Sequence, residues 1–319
     1  MPISDIFMAG LERLHASAPL LGASVLLPLA LAALGGAALA APARVSLADV
    51  ESWGYQLQQV ERDAVAASPY DLMVIDYSRN GSAELAFSRA DVAAMQRKPD
   101  GGARLVLAYL SIGEAEDYRS YWQRGWQVSP PAWLGAENPD WPGNYAVQYW
   151  DPQWQRLIMG TPEAYLDRIV AAGFDGVYLD RIDAFDGGGT RPTRSRRMQL
   201  MAHFVAAIAA YARALRPGFI VVAQNAEELL DSPAYAATLD AVAKEDLFFG
   251  LDGDGVPNAK SALRASLGPL QRFQASGKPV FLVEYLDSPE AEAAARKNAA
   301  AMGAPLFIGS RELDDVQSR

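Results

Sequence analysis

Short apolar stretches alternate with helix-like ones from residue 54 to residue 309, and no other feature constrains the fold of this chain as tightly. The strand candidates are residues 54–57, 71–77, 104–110, 146–150, 176–180, 219–225, 241–245, 279–285 and 305–309. Each is rich in β-branched, leucyl or aromatic side chains and is followed by polar or glycine-containing turns. Helix signals lie between them. Residues 88–96 start at the capping residue Ser88, residues 161–172 open on Thr161-Pro162-Glu163 and stop at Gly173, and residues 196–215 place Met198, Met201, Val205, Ile208 and Ala209 near helical spacing. Strands that alternate with helices pair in parallel, because each crossover covers a face of the sheet. These candidates predict an α/β chain folded as a (β/α)8 TIM barrel with one extra or miscalled strand, the first and last matching the strand pattern least closely. A doubly wound open parallel sheet is the alternative. No G-x-G-x-x-G or G-x-x-x-x-G-K-[ST] loop follows any strand, which removes the usual evidence for a nucleotide-binding sheet.

What the chain lacks narrows its chemistry. With no cysteine, disulfides, thiolate metal sites and cysteine nucleophiles are excluded. The two histidines are His15 and His203, too few for a histidine-rich metal centre, and His203 falls inside a helix signal where a packed or surface role is expected. A net charge of -10 argues against nucleic acid and suits a neutral or cationic ligand. Residues 19–41 are almost wholly apolar and end in Ala38-Leu39-Ala40 before Ala41-Pro42. They read as an export signal or an uncleaved membrane anchor over residues 1–41, ahead of one barrel over residues 45–319 in a secreted, periplasmic or extracellular setting. Membrane contact is expected through that segment alone. Asp252-Gly253-Asp254-Gly255 has Val256 and Leu263 where a calcium loop needs ligands, so a plain turn is expected. Arg191, Arg194, Arg196 and Arg197 read as a solvated loop or helix start.

The carboxyl ends of the strands carry the chemistry. Asp76 and Tyr77 end the second candidate; Tyr109, Ser111 and Glu114 follow the third; Tyr149 and Asp151 the fourth; Asp180 and Asp183 the fifth. Asn225 ends the sixth, Glu245 and Asp246 the seventh, Glu284 and Tyr285 the eighth. In a parallel barrel all of these meet on the face where ligands bind. A cleft of carboxylates and aromatic rings, nearly free of histidine and lysine, is the usual equipment of a carbohydrate site. Acids there transfer protons and read hydroxyls, while flat rings stack on sugar faces.

Several runs also resemble a known family. Trp53-Gly54-Tyr55-Gln56-Leu57, Val74-Ile75-Asp76-Tyr77, Ala108-Tyr109-Leu110-Ser111-Ile112-Gly113-Glu114-Ala115-Glu116-Asp117-Tyr118-Arg119, Gly176-Val177-Tyr178-Leu179-Asp180 and Lys244-Glu245 are similar to glycoside hydrolase family 114, the endo-α-1,4-polygalactosaminidase-like proteins. The stretch from Tyr109 to Arg119 is the most specific of them. The resemblance implies a TIM barrel that hydrolyses an α-1,4-linked, galactosamine-containing exopolysaccharide from within, without cofactor or metal. It places the catalytic carboxylates at Asp180, as nucleophile or electrostatic stabiliser, and Glu245, as general acid/base. Asp76, Tyr109, Glu114, Tyr149, Asp183, Asn225, Glu284 and Tyr285 are then the substrate-binding candidates, and their negative charge suits a cationic amino-sugar polymer. Tyr118 and Arg119 are expected mainly to hold the Glu114 loop in place. Two other readings compete: a carbohydrate-binding barrel without activity, and a hydrolase holding a hard metal ion through Asp76, Asp180 and Glu284.

Overall fold

The computed structural model describes residues 45–187 and 191–315. Eight parallel strands form the central sheet in chain order: β1 (Trp53–Gln56), β2 (Leu72–Ile75), β3 (Leu105–Ser111), β4 (Gly176–Asp180), β5 (Ile220–Gln224), β6 (Ala241–Glu245), β7 (Val280–Tyr285) and β8 (Leu306–Gly309). Every neighbouring pair runs parallel, so all the carboxyl ends open on one face. β1 and β8 share no ladder, yet the sheet curls until they meet. The indole of Trp53 on β1 lies 6.0 Å from the ring of Phe307 on β8, and its Nε1 donates to the Leu282 carbonyl on β7 at 3.1 Å. The result is a nearly closed TIM-type barrel, and the open doubly wound sheet is set aside.

Period-2 alternation sorts the strand residues into two cores. Trp53, Tyr55, Val74, Tyr178, Val222 and Phe281 face the barrel axis, whereas Met73, Ile75, Val106, Leu282 and Ile308 pack under the helices. The interior is strongly aromatic: Trp53 stacks on Tyr55 at 6.0 Å and on Tyr178 at 6.3 Å, making a solid floor beneath the open face.

Local chemistry sets the helix ends. Ser88 and Asp91 form a reciprocal capping box on Arg89–Met95, Thr193 caps Arg194–Leu215, and Gly173, with φ of 90°, ends Tyr165–Ala172. That last helix starts later than Pro162 predicts, because residues 161–164 form a turn first. The supernumerary strand is mid-chain and not at either end. Asn144–Val147 pairs antiparallel with Glu114–Glu116 and Leu134–Glu137 in a three-stranded sheet inserted after β3. A short apolar run reads alike in a barrel or in a side sheet, and what separates them is the partner strand. The segment expected to be an export signal or anchor, residues 1–41, lies outside the described residues.

Candidate active site

The alternation that fills the barrel also brings polar side chains to its open end. Two residues beyond the buried Tyr178, Val222, Ala243 and Val283 come Asp180, Gln224, Glu245 and Tyr285, and with Tyr109 they line a cleft of about 320 Å³. Directly after three of these strands the backbone turns left-handed, at Arg181 (φ 58°), Asn225 (φ 57°) and Asp246 (φ 50°). Non-glycine residues adopt that conformation at a cost and mostly where a site requires it. Here the turn aims Arg181 at Glu114 at 2.9 Å, Asn225 at Glu245 at 3.2 Å, and Asp246 at Arg311 at 3.1 Å.

Asp180 and Glu245 are each held by a tyrosine. The Tyr109 hydroxyl donates to Asp180 Oδ2 at 2.7 Å, and the Tyr285 hydroxyl donates to Glu245 Oε1. Glu245 Oε2 also accepts from the Gln224 amide and from Asn225 Nδ2 at 3.2 Å. Asn225 Oδ1 in turn accepts the backbone N–H of Glu245 at 3.1 Å. Behind this set, Arg311 lies 4.4 Å over the Tyr285 ring while pairing with Asp246 and, at 2.7 Å, Asp254. Burial raises the pKa of Asp180 to about 7, and the negative charge of Glu245 adds to that rise. Burial raises Glu245 as well. Two interacting carboxyls, both raised by burial, titrate as a pair.

The motif from Ser111 to Arg119 builds the neighbouring wall. Gly113 is required by close approach, since a Cβ there would collide with the Arg181 carbonyl oxygen. Glu114 reaches the cleft but its carboxylate is engaged by Arg181 and by Asn138 Nδ2 at 3.0 Å. Below it Arg119 is almost fully buried between two acids, donating to Asp76 at 2.6 Å and to Glu116 at 2.6 Å. Tyr118 donates to Glu116 at 2.7 Å and rests its ring on Gly81 (φ 82°), leaving the side chain partly exposed to the cleft.

The sequence profile of glycoside hydrolase family GH114 matches residues 36–318. The chain belongs to family GH114. An uncharacterised protein of Deinococcus radiodurans is 41% identical over 275 residues, covering 85% of this chain and 84% of that one. Among solved structures, Aspergillus fumigatus Ega3 in complex with galactosamine superposes with a TM-score of 0.62 at 20% identity, covering 84% of this chain and 95% of that one. The glycoside hydrolase domain of PelA from Pseudomonas aeruginosa gives a TM-score of 0.62 at 20% identity, covering 84% and 100%. At that identity the likeness establishes the barrel, while the family establishes a glycoside hydrolase, whose substrate is a polysaccharide.

Within this glycoside hydrolase the rim candidates divide. Asp180, Glu245, Tyr109, Glu114, Asn225, Tyr285 and the half-exposed Asp183 line the cleft. Tyr149 does not: it is fully buried, its hydroxyl donates to the Arg197 carbonyl at 2.9 Å, and it follows a side-sheet strand instead of a barrel strand. Glu284 does not either. It has the outward parity on β7, opposite to Tyr285, and accepts the backbone N–H groups of Phe248 at 2.7 Å and Phe249 at 3.3 Å, anchoring the turn that follows Glu245. Asp76 also lines the cleft, and its carboxylate accepts from Arg119 and from the Ser78 N–H at 2.9 Å, which ties it to the wall. Asp76, Asp180 and Glu284 therefore do not converge as metal ligands. In the arginine cluster, Arg191, Arg194 and Arg196 are exposed around the start of the Arg194–Leu215 helix, where Arg194 pairs with Asp186 and Glu228, while the buried Arg197 donates to the Phe185 carbonyl at 2.6 Å. The sequence reasoning missed Gln224, whose parity with Val222 marks it as inward-facing, and Arg311, which follows the last strand and carries no local signal.

The raised acids set the direction of pH-dependent stability. Glu284, fully buried, is raised to about 7, as is Asp180; burial also raises Asp76, Glu114 and Glu245. Each binds its proton more tightly folded than unfolded, so its contribution is complete below about pH 4; for Glu284 and Asp180 it is lost as pH rises through about 7. Asp71 and Asp91, whose pKa values are lowered, act oppositely and below that window. Urea unfolding is expected to show lower stability at pH 8 than at pH 5. Glu284→Gln should flatten the slope by on the order of 1 kcal/mol per pH unit, the value of one proton. A parent protein equally stable at both pH values contradicts this.

Proposed function

We propose that this hydrolase cleaves an α-1,4-linked, galactosamine-containing exopolysaccharide from within, using Asp180 as nucleophile or electrostatic stabiliser and Glu245 as general acid/base. The observation that carries the reading is the pair itself: two half-buried carboxyls with raised pKa values on one cleft, each oriented by a tyrosine hydroxyl. Glycoside cleavage needs one carboxyl ionised and one protonated, and two raised acids in unequal surroundings can be held that way. The positive charge that develops on the sugar ring beside Asp180 favours the Asp180 anion, while a protonated Glu245 serves the leaving oxygen.

An amino sugar is a cation at neutral pH, and Asp183 lies on the cleft half-exposed, its ion-pair partner Arg181 as far as 3.9 Å away. That charge, with the galactosamine bound by the fold relative Ega3, supports the substrate class. Secretion or membrane tethering is part of the same proposal and rests on residues 19–41. Incubating the protein with deacetylated and acetylated α-1,4-galactosamine polymers and sizing the products tests it. The deacetylated polymer should yield a spread of intermediate oligomers. No shortening of either polymer, or release of single sugars alone, contradicts the proposal.

A further inference from the structure

The insertion after β3 is the most tryptophan-rich part of the chain, and nearly all of its rings are packed. Trp122, Trp126, Trp133 and Trp154 form a chain of ring contacts, with centroids 5.1 to 5.2 Å apart. Trp141 is the exception. Its side chain is 51% exposed, it makes no ring contact among the described residues, and it lines the same cleft as Asp180 and Glu245. Large exposed aromatic rings are scarce in this molecule: among the described residues they are Trp141 and Tyr118, and both line that cleft. Two exposed rings on separate segments, converging on one polar cleft, are what a sugar-binding surface needs and what a packed core does not produce.

The backbone beneath Trp141 is fixed. The Asn138 N–H donates to the Asn144 carbonyl at 2.7 Å, and the Trp141 and Asn144 N–H groups close the turn at 3.3 and 3.1 Å. Glu137 accepts the Gly143 N–H at 2.7 Å, and the Gly143 carbonyl accepts the Asp117 N–H at 2.9 Å. The indole is thus presented on a preorganised hairpin, so stacking a ligand on it immobilises little. Its link to the catalytic pair is indirect: Asn138 holds Glu114, Glu114 holds Arg181, and Arg181 follows Asp180. No hydrogen bond or ring contact among the described residues joins the indole itself to either carboxylate.

We propose that Trp141 is a stacking platform for a pyranose ring of the polymer remote from the scissile bond, making cleavage depend on chain length. A galacto-configured ring has one face made mostly of C–H groups, which suits an indole, and a protonated amine beside it adds attraction to the π face. The platform rests on the galactosamine polymer being the substrate.

The test measures kcat and KM on α-1,4-galactosamine oligomers of increasing length for the parent, Trp141→Ala and Trp141→Phe, with thermal unfolding of each. Trp141→Ala should raise KM by about tenfold on long oligomers, the value of one good ring stack. The loss should shrink as the oligomer shortens, kcat should move little, and Trp141→Phe should recover most of the affinity. An equal loss at every length accompanied by a lower melting temperature indicates a structural role and overturns the platform, as does no loss at any length. A parent that neither binds nor cleaves any of these oligomers overturns the proposed substrate and the platform with it. A parent that cleaves them without length dependence in Trp141→Ala overturns the platform alone.

Discussion

Asp180→Asn and Glu245→Gln should each lower turnover on the polymer by at least about a hundredfold, the usual contribution of a positioned acid or base. Both substitutions keep the shape of the side chain and delete its proton chemistry. The amide oxygen introduced in Asp180→Asn still accepts from Tyr109; in Glu245→Gln the amide oxygen keeps the Gln224 and Asn225 donors, and the new NH2 group donates to the Tyr285 hydroxyl, which can accept. The cleft therefore stays formed, and binding of polymer should survive far better than turnover. The check is turnover beside a binding isotherm on the same preparations. Variants that cleave at close to the parent rate would remove the pair from the mechanism, and variants that lose binding in proportion to turnover would place these residues in recognition alone.

Arg119→Ala is expected to be the most destabilising single change near the cleft. Arg119 is buried between Asp76 and Glu116, whose side chains are 6% and 2% exposed, and it also lies 5.1 Å over the Tyr165 ring. Removing the cation leaves two buried carboxylates uncompensated, which costs about 3 to 5 kcal/mol for such a pair. Protonating Asp76, whose pKa burial raises, relieves part of that cost, so the deficit should shrink as pH is lowered toward 5. Chemical unfolding at pH 8 and pH 5 reads both effects. A variant as stable as the parent at pH 8 would show that the ion pairs do not hold this wall of the cleft.

The barrel is legible in the sequence because its strands are continuous apolar runs buried on both faces, and such runs stand out against polar turns. The eight that form the barrel are all among the candidates. Residues 146–150 join them because Ala146, Val147, Tyr149 and Trp150 give the same local pattern, and the antiparallel pairing of Asn144–Val147 with Glu114–Glu116 is a tertiary fact. At the rim, type and position are legible but direction is less so. Glu284 and Tyr285 are adjacent at the end of one strand, and counting parity from Phe281 and Val283 assigns Tyr285 to the cleft and Glu284 to the helices. The same count exposes Gln224. Parity does not reveal that Asp76 is neutralised by a residue 43 positions away, since the Arg119 contact depends on how the insertion folds back over β2. Arg311 illustrates the same limit: its stacking on Tyr285 joins two strand ends far apart in sequence.

The division of labour between the two carboxylates is tested most directly by the first turnover on an oligomer whose leaving group is a strongly acidic phenol. Such a leaving group needs no proton, so the general acid becomes dispensable for that step while the nucleophile does not. Glu245→Gln should release the phenol in an initial burst at close to the parent rate and then stall, whereas Asp180→Asn should stay slow from the start. A burst retained in Asp180→Asn and lost in Glu245→Gln, or equal slowing of both, would contradict the roles assigned to the pair.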